Sequence, residues 1–203
     1  DGPGATRTIS WVANDGLGNS SVKTSTISLT GVNDNPTAVS VSLSSTEDTV
    51  YTFRISDSLV GKVTDPDDGA SVAGIAISWN QTTSNQGVWQ WSADGSTAWT
   101  AFPADMTGSD LSFNKPGSAL YLKSTTYLRF TPSADWNGSV NPVLFRVADN
   151  TMATTVNNGD RVDVTTYNGT GGAMSSGPTS YTLTVAAAND APVLADATLS
   201  MTA

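Results

Sequence analysis

The chain has 203 residues, 38% of them hydrophobic, with 18 acidic against nine basic side chains and a formal net charge of −9 at pH 7. Such acidity excludes a nucleic-acid binder that relies on phosphate contacts, and the absence of histidine and cysteine excludes disulfides, structural zinc sites and hydrolases with a histidine base. No apolar run approaches the roughly 20 residues of a membrane-spanning helix, so membrane insertion is not expected.

The composition predicts an all-β protein. Only 13% of the residues are charged, and Glu47 is the single glutamate among the 18 acids. Helix surfaces are usually built from Glu, Lys, Arg, Ala and Leu. This chain is instead rich in Ser, Thr, Val, Gly and Asn, which favour strands and tight turns.

A repeated segment indicates how the chain is organised. Residues 27–36 and 183–192 each combine an alternating strand with the motif Asn-Asp-x-Pro. Upstream of each copy, residues 9–15 and 144–149 form another candidate strand that ends in Asp. A repeat of this kind predicts an array of similar units in tandem.

The repeat predicts three parts. Residues 1–35 would be the C-terminal strands of a preceding unit, residues 36–192 a complete unit and candidate ligand-binding domain, and residues 193–203 the first strand of a following unit. In the alternative, residues 1–31 and 193–203 pack together as one split domain from which the middle unit projects.

Within the complete unit, alternation of apolar and polar residues predicts short strands separated by turns. Ala93-Asp94-Gly95-Ser96 fits a hairpin turn, because Asp-Gly tolerates the positive φ that such turns require. The pattern indicates an antiparallel β-sandwich, and no segment has a convincing helical period. The predicted strands lie near residues 39–44, 50–55, 72–79, 87–92, 97–102, 119–122, 126–131, 141–148 and 179–186.

Several motifs, in their order along one period, resemble a known family. They are Asn33-Asp34-Asn35-Pro36, Thr46-Glu47-Asp48-Thr49, Asp65-Pro66-Asp67-Asp68-Gly69, residues 87–95 with Trp99, residues 128–132, and Asp135-Trp136-Asn137-Gly138. The first is similar to the cadherin interdomain linker. Together the motifs resemble the cadherin-like repeats of giant secreted bacterial adhesins of the repeats-in-toxin (RTX) class, and the resemblance covers nearly the whole chain.

The resemblance implies a fold, a location and a role. It implies cadherin-like or immunoglobulin-like sandwiches strung into a long extracellular fibre that calcium stiffens. The fibre is anchored at the cell surface as part of a larger adhesin, where it serves cell adhesion and biofilm formation. Some units carry ligand sites for sugars, peptides or other surfaces.

Calcium is therefore the predicted cofactor, and it takes roughly six to eight oxygen ligands from carboxylates, amides and backbone carbonyls. The candidate ligands at the first junction are Asn33, Asp34, Asn35, Glu47, Asp65 and Asp67, with Asp15 from the preceding unit, and at the second junction Asp149, Asn189 and Asp190. Glu47 is expected to be a bridging ligand, and Asp48 to contribute less. The alternative is that residues 65–69 form only a turn.

A longer spacing in the second copy of the repeat marks a candidate recognition segment. Asp15 precedes Asp34 by 19 residues, whereas Asp149 precedes Asp190 by 41, so 22 extra residues fall between 150 and 177. Loops of this length are commonly functional. The candidate ligand-binding residues are Asn158, Asp160 and Asp163, which could hold a cation with an open coordination position, and Tyr167, which could supply a flat apolar contact. The alternative is an added hairpin whose acids cap turns.

The six tryptophans divide into core and surface candidates. Trp89 and Trp91 occupy alternate positions of one strand, so they face one side of the sheet. The predicted core set is Trp79, Trp89, Trp91, Phe113, Leu128 and Phe130. Trp99 and Trp136 lie beside turns, and they are the candidates for an exposed carbohydrate platform.

The sequence favours a calcium-stabilised, monomeric adhesin segment that recognises a cell-surface peptide or protein, or a glycan, and that contacts neighbouring repeats of its own chain. It contains no phosphate-binding loop or cofactor motif, and its acidic clusters lie in turns rather than in a cleft, so enzymatic activity is not expected. The alternatives are a purely structural extender repeat and a carbohydrate-binding module.

Overall fold

The structure is a computed structural model that describes residues 6–96, 98–106, 117–192 and 194. The predictions made for Phe113 and for residues 193 and 195–203 lie outside these ranges. Within them, no helix has the length and apolar character that a membrane crossing requires.

The described residues form fourteen strands, two single-turn α-helices and one 3-10 turn, so the prediction of an all-β fold is confirmed. The elements are β1 (Thr6–Trp11), β2 (Lys23–Ser28), β3 (Thr37–Ala38), β4 (Val41–Thr46), β5 (Tyr51–Arg54), α1 (Ile55–Ser58), β6 (Val63–Thr64), β7 (Val72–Asn80), β8 (Gly87–Ser92), β9 (Thr100–Ala101), the 3-10 turn (Ala104–Met106), β10 (Ala119–Lys123), β11 (Tyr127–Pro132), β12 (Gly138–Asp149), β13 (Arg161–Val162), α2 (Val164–Tyr167) and β14 (Thr179–Ala186).

Two sheets make the sandwich of the complete unit. The larger has the strand order β13-β10-β7-β12-β14-β4, and the smaller has the order β5-β11-β8-β9. β3 and β6 form a short ribbon beside them, and β1 and β2 form a separate hairpin. The strand pairs of the described residues are antiparallel except one, because β4 lies parallel to β14.

The direction of these strands defines two poles. Val41 lies beside Tyr181 and Thr46 beside Ala186, so β4 and β14 run the same way. β4 begins just after residues 29–36, the first linker, and β14 ends just before residues 187–192, the second linker. The two linkers therefore meet the sandwich at opposite ends, here called the first pole and the second pole.

The main core lies between the two sheets. Phe145 of β12 stacks on Tyr181 of β14 with 4.4 Å between ring centroids, and Trp89 packs against Phe130 at 5.1 Å. Trp89, Leu128 and Phe130 are buried, as predicted. Trp91 is half-buried against this core, and Trp79 is half-buried as well.

A second core covers the outer face of the larger sheet. Ala76, Ala148 and Tyr121 project from the sheet, and residues of the inserted segment, among them Met174 and Val164, pack over them. The segment contains β13 and α2, and β13 extends the sheet by pairing with β10. It is a third layer of the domain rather than a loop at one end.

The β1–β2 hairpin exposes both of its faces. One face carries Ile9, Trp11 and Ile27, and the other carries only threonine and serine, because side chains alternate along each strand. A two-stranded hairpin is at best marginally stable alone in water. The face with Ile9, Trp11 and Ile27 also carries Arg7 and Lys23, so it is amphipathic.

Met174 offers a test of the third layer, because its side chain is fully buried in the second core. Met174→Ala should lower the free energy of unfolding by about 2–5 kcal/mol, the usual cost of such a truncation. Leu17→Ala is the control, since Leu17 is 98% exposed. Urea denaturation measures both changes, and equal midpoints for the two variants would show that the inserted segment does not stabilise the domain.

Candidate metal centres and ligand cavity

Four aspartates lie together at the first pole. Asp65 and Asp67 lie between β6 and β7, Asp149 ends β12 opposite Val72, and Asp34 belongs to the first linker. The Asp34 backbone N–H donates to Asp67 Oδ2 at 2.8 Å, and the Asp67 N–H donates to Asp65 Oδ1 at 3.1 Å. Desolvation raises the pKa of Asp65, and the negative charges of Asp149, Asp67 and Asp34 raise it further.

Asp149 is the buried member of this group, with 2% of its surface exposed. Its Oδ1 accepts hydrogen bonds from the Thr151 N–H at 2.7 Å and the Thr151 hydroxyl at 2.5 Å, and its Oδ2 accepts from Asn33 Nδ2 at 3.2 Å. The sequence assigned Asp149 to the second junction with Asn189 and Asp190. The structure places it at the first pole instead, because β12 runs back from the second pole to the first.

A second group of carboxylates lies at the second pole. Carboxylate oxygens of Asp48, Asp135 and Asp190 lie within 4.8 Å of one another, and all three residues are exposed. The Asp135 N–H donates to Asp48 Oδ1 at 3.2 Å. Desolvation raises the pKa of Asp190, followed by the charges of Asp135, Asp48 and Glu47. Asp48 and Asp135 have φ of 57° and 55°, a left-handed conformation that aspartate tolerates better than most residues.

Glu47 lies beside this second group and not with Asp34, Asp65 and Asp67, as the sequence predicted. It is 4% exposed, and its Oε1 accepts from the Ala188 N–H at 2.5 Å while its Oε2 accepts from Asn137 Nδ2 at 2.8 Å. The reason is the length of β4, whose six residues span about 17–20 Å and carry the chain from the first pole to the second. Glu47 thus connects its strand to the linker that follows the unit.

The remaining predicted junction residues have local roles. Asp15 lies in the tip of the β1–β2 hairpin. The first linker begins at the other end of this hairpin, where Ser28 pairs with Thr6. The N–H groups of Leu17 and Gly18 donate to Asp15 Oδ1 at 2.9 Å and lower its pKa, so Asp15 stabilises this tip rather than the first pole. Asn189 Nδ2 donates to the Asp190 carbonyl at 3.3 Å.

Sequence reasoning missed two members of the second group. Asp135 was not proposed as a ligand, and Asp48 was expected to contribute less than Glu47. The signal was nevertheless present, because both lie in motifs that carried the family resemblance, residues 46–49 and 135–138. What the sequence did not show is that these two motifs meet at the pole where Asp190 lies.

The chemistry of both groups fits a hard divalent cation. Their side-chain donors are carboxylate oxygens, which suit Ca²⁺ and Mg²⁺ rather than softer metals. At the first pole the carboxylates of Asp65, Asp67 and Asp149 border a cavity of about 410 Å³, which leaves room for an ion. A cation would also remove the repulsion between like charges that disfavours the ionised form of Asp65 and Asp190.

Three of the four residues proposed for recognition in the inserted segment line one surface cavity of about 350 Å³: Asp160, Asp163 and Tyr167. Asp163 caps α2, since its Oδ1 accepts from the Thr165 N–H at 2.9 Å. Asp160 Oδ2 accepts from the Asn157 N–H at 2.7 Å. Arg161 lies between the two carboxylates in sequence and borders the same cavity.

Asn158 does not complete a cation site with these two aspartates. Its Oδ1, the atom that would bind a metal, accepts hydrogen bonds from the Lys123 N–H at 2.7 Å and the Thr126 hydroxyl at 2.8 Å. It therefore holds the turn between β10 and β11. The predicted cation-binding trio is wrong in this respect, because the side-chain oxygen already serves the fold.

Both tryptophans proposed as a carbohydrate platform are half-buried and contact other residues of the domain. The Arg129 guanidinium carbon lies 4.2 Å from the centre of the Trp99 ring, and Trp99 Nε1 donates to the Ser96 carbonyl at 3.2 Å. Trp136 is half-buried and packs against the main core. Both rings contribute to holding turns against the sheets.

Comparison of this chain with models of protein families, with curated proteins and with solved structures finds no match. Any functional conclusion therefore starts from the geometry of the two carboxylate groups and the cavity of the inserted segment.

The raised pKa values of Asp65 and Asp190 predict an unusual pH dependence in the presence of a chelator. Such a carboxyl has a higher pKa in the folded than in the unfolded protein, so its protonation favours the folded state. The free energy of unfolding therefore increases as the pH falls through the pKa of the folded protein, and decreases as the pH rises through that pKa. We expect the urea midpoint to increase on acidification from neutral pH. The lowered pKa values of Asp94, about 2, and of Asp15 act in the opposite direction as the pH falls below the ordinary aspartate value of 3.8, so the increase is expected only above that pH.

The matched variants are the double change Asp65→Asn with Asp190→Asn and the single change Asp57→Asn. The double variant should lose most of the increase in urea midpoint. Asp57→Asn should retain it, because Asp57 lies in α1 and belongs to neither group of carboxylates. An identical pH profile in the double variant and the parent protein would contradict the electrostatic interpretation.

Proposed function

We propose that the protein is a calcium-stabilised segment of a secreted bacterial adhesin of the RTX class, built from cadherin-like units and carrying a recognition surface for adhesion. The observation that carries the proposal is the pair of carboxylate groups at opposite poles, each where an Asn-Asp-x-Pro linker meets the sandwich. Calcium at each pole would connect one unit to the next. We propose accordingly that the segment acts outside the cell, as part of a larger cell-surface protein.

The topology supports the tandem array over the split domain. Because β4 and β14 are parallel, the chain arrives at one pole and leaves at the other, and neighbouring units would continue the fibre in both directions. A split domain needs residues 1–31 and 193–203 to meet, which is easiest when a middle unit begins and ends at one pole. The proposed partners of each pole are therefore neighbouring repeats of the same chain, in a protein that acts as a monomer.

The inserted segment supports a recognition role beyond that of an extender. It adds a layer to the sandwich and carries the cavity bordered by Asp160, Asp163 and Tyr167. We propose a cell-surface peptide or protein as the ligand in preference to a glycan, because Trp99 and Trp136 are committed to intramolecular contacts.

Calcium should raise the thermal midpoint of the protein. A cation that binds only the native state stabilises it by about 2.7 kcal/mol at a hundredfold excess over Kd at one site. We expect Asp67→Asn and Asp48→Asn each to reduce the increase in thermal midpoint that calcium causes, because each removes a carboxylate from the group at one pole. Scanning calorimetry with calcium and with chelator measures it, and Asp57→Asn is the control.

Isothermal titration calorimetry then counts the sites. The parent should bind at both poles, and each variant should lose binding at one. If the thermal midpoint is the same with calcium and with chelator, calcium has no place in the function of this segment.

Recognition is tested with the double change Asp160→Asn and Asp163→Asn, because asparagine also caps helices and the fold should persist. We expect the parent to bind members of a peptide array or intact cells, and the variant to lose that binding while its circular dichroism is unchanged. Asp57→Asn again serves as the control. Retention of every interaction by the folded variant would place recognition elsewhere, and selective binding to a glycan array would support the carbohydrate module instead.

A further inference from the structure

The first linker is attached to the inserted segment by side-chain amides. Asn35 Nδ2 donates to the Met174 carbonyl at 2.6 Å, and the Gly171 N–H donates to Asn35 Oδ1 at 3.0 Å. Asn33 Nδ2 lies 3.2 Å from the Gly172 carbonyl and 3.4 Å from the Gly171 carbonyl. Residues 169–174, here called the strap, thus bind the linker through partners more than 130 residues away in sequence.

The strap approaches the linker so closely that glycine is required. Gly171 has a φ of 69°, and a Cβ at this position would lie 2.7 Å from the Asn33 carbonyl oxygen. A Cβ on Gly172 would lie 2.2 Å from the Tyr167 carbonyl oxygen, so this second glycine is required by contacts within the inserted segment. Glycine adopts left-handed backbone without penalty and permits such contact between two backbones. The contact is therefore specified by the sequence of the strap.

The second linker lacks the side chain that makes the corresponding attachment. It has Ala191 at the position where the first linker has Asn35, in the otherwise similar motif Asn-Asp-x-Pro. Its backbone contact at the pole is the bond from the Ala188 N–H to Glu47, a residue within the group of negative charges. The amide that joins linker and strap is thus particular to the first pole.

We propose that the strap is a clamp that keeps the first linker ordered on the first pole without any cation. Its bonds join neutral amides to backbone groups, so they do not require the neutralisation of charge that the carboxylate groups require. The inserted segment thereby gives its own unit a fixed connection to the chain that precedes it. This inference does not rest on the proposed function, because it concerns the protein in chelator.

Backbone ¹⁵N relaxation of the parent protein in chelator tests the clamp directly. The amides of residues 33–35 should have order parameters near 0.85, typical of rigid backbone, and Asn35→Ala should reduce them below about 0.6. Asn141→Ala is the matched control, because Asn141 is an exposed asparagine in β12 that donates to the Gln81 carbonyl. It should leave the linker ordered.

Hydrogen exchange provides a measurement that needs no variant. The Gly171 amide should be protected in the parent protein, since it donates to Asn35 Oδ1. Disordered linker amides in the parent, an unprotected Gly171 amide, or an Asn35→Ala variant that folds with its linker still ordered would each overturn the proposal. If Asn35→Ala does not fold, the order parameters and exchange of the parent decide.

Discussion

The parallel pairing of β4 with β14 is the constraint on which the arrangement of the molecule depends. In a sandwich whose other described pairs are antiparallel, this pair makes the first and last long strands of the unit run in the same direction. The two linkers consequently emerge at opposite poles. Each cluster of aspartates is then assembled from segments that are distant in sequence, because each long strand carries the chain from one pole to the other.

The inserted segment turns a two-layer sandwich into a three-layer domain. A sheet face built from Ala76, Ala148 and Tyr121 would be apolar if it were left in water, and burying it is favourable. One face of the inserted segment buries this sheet face. The rest is free to form the cavity around Asp160 and Asp163 and to provide the strap, so stability and specialised contacts come from the same insertion.

Much of the fold was predictable, because alternation of apolar and polar residues identifies strands directly. The predicted strands near 87–92 and 179–186 coincide with β8 and β14, and β8 pairs with β9 as predicted, although their connection is longer than the expected turn at residues 93–96. Four strands, β3, β6, β9 and β13, have only two residues each, too few to show alternation. They are defined only by the partners they find in three dimensions.

The site residues were less predictable for a physical reason. Composition identifies acids that suit a cation, but only strand direction determines which acids share a pole, and Glu47 and Asp149 were assigned to the wrong ends. Asn158 and Trp99 illustrate a second limit. Asn158 Oδ1 accepts from a backbone N–H, and a guanidinium covers the Trp99 ring. Both partners come from residues far away in sequence, so the local pattern gives no sign of them.

The register of β4 against β14 also sets how the unit would respond to tension. A pull on the two linkers draws these neighbouring strands in opposite directions along their common axis. The six residue pairs from Val41 with Tyr181 to Thr46 with Ala186 are then loaded together in shear, instead of being peeled apart one after another. Separation of the two strands would therefore require the hydrogen bonds along all six pairs to break together.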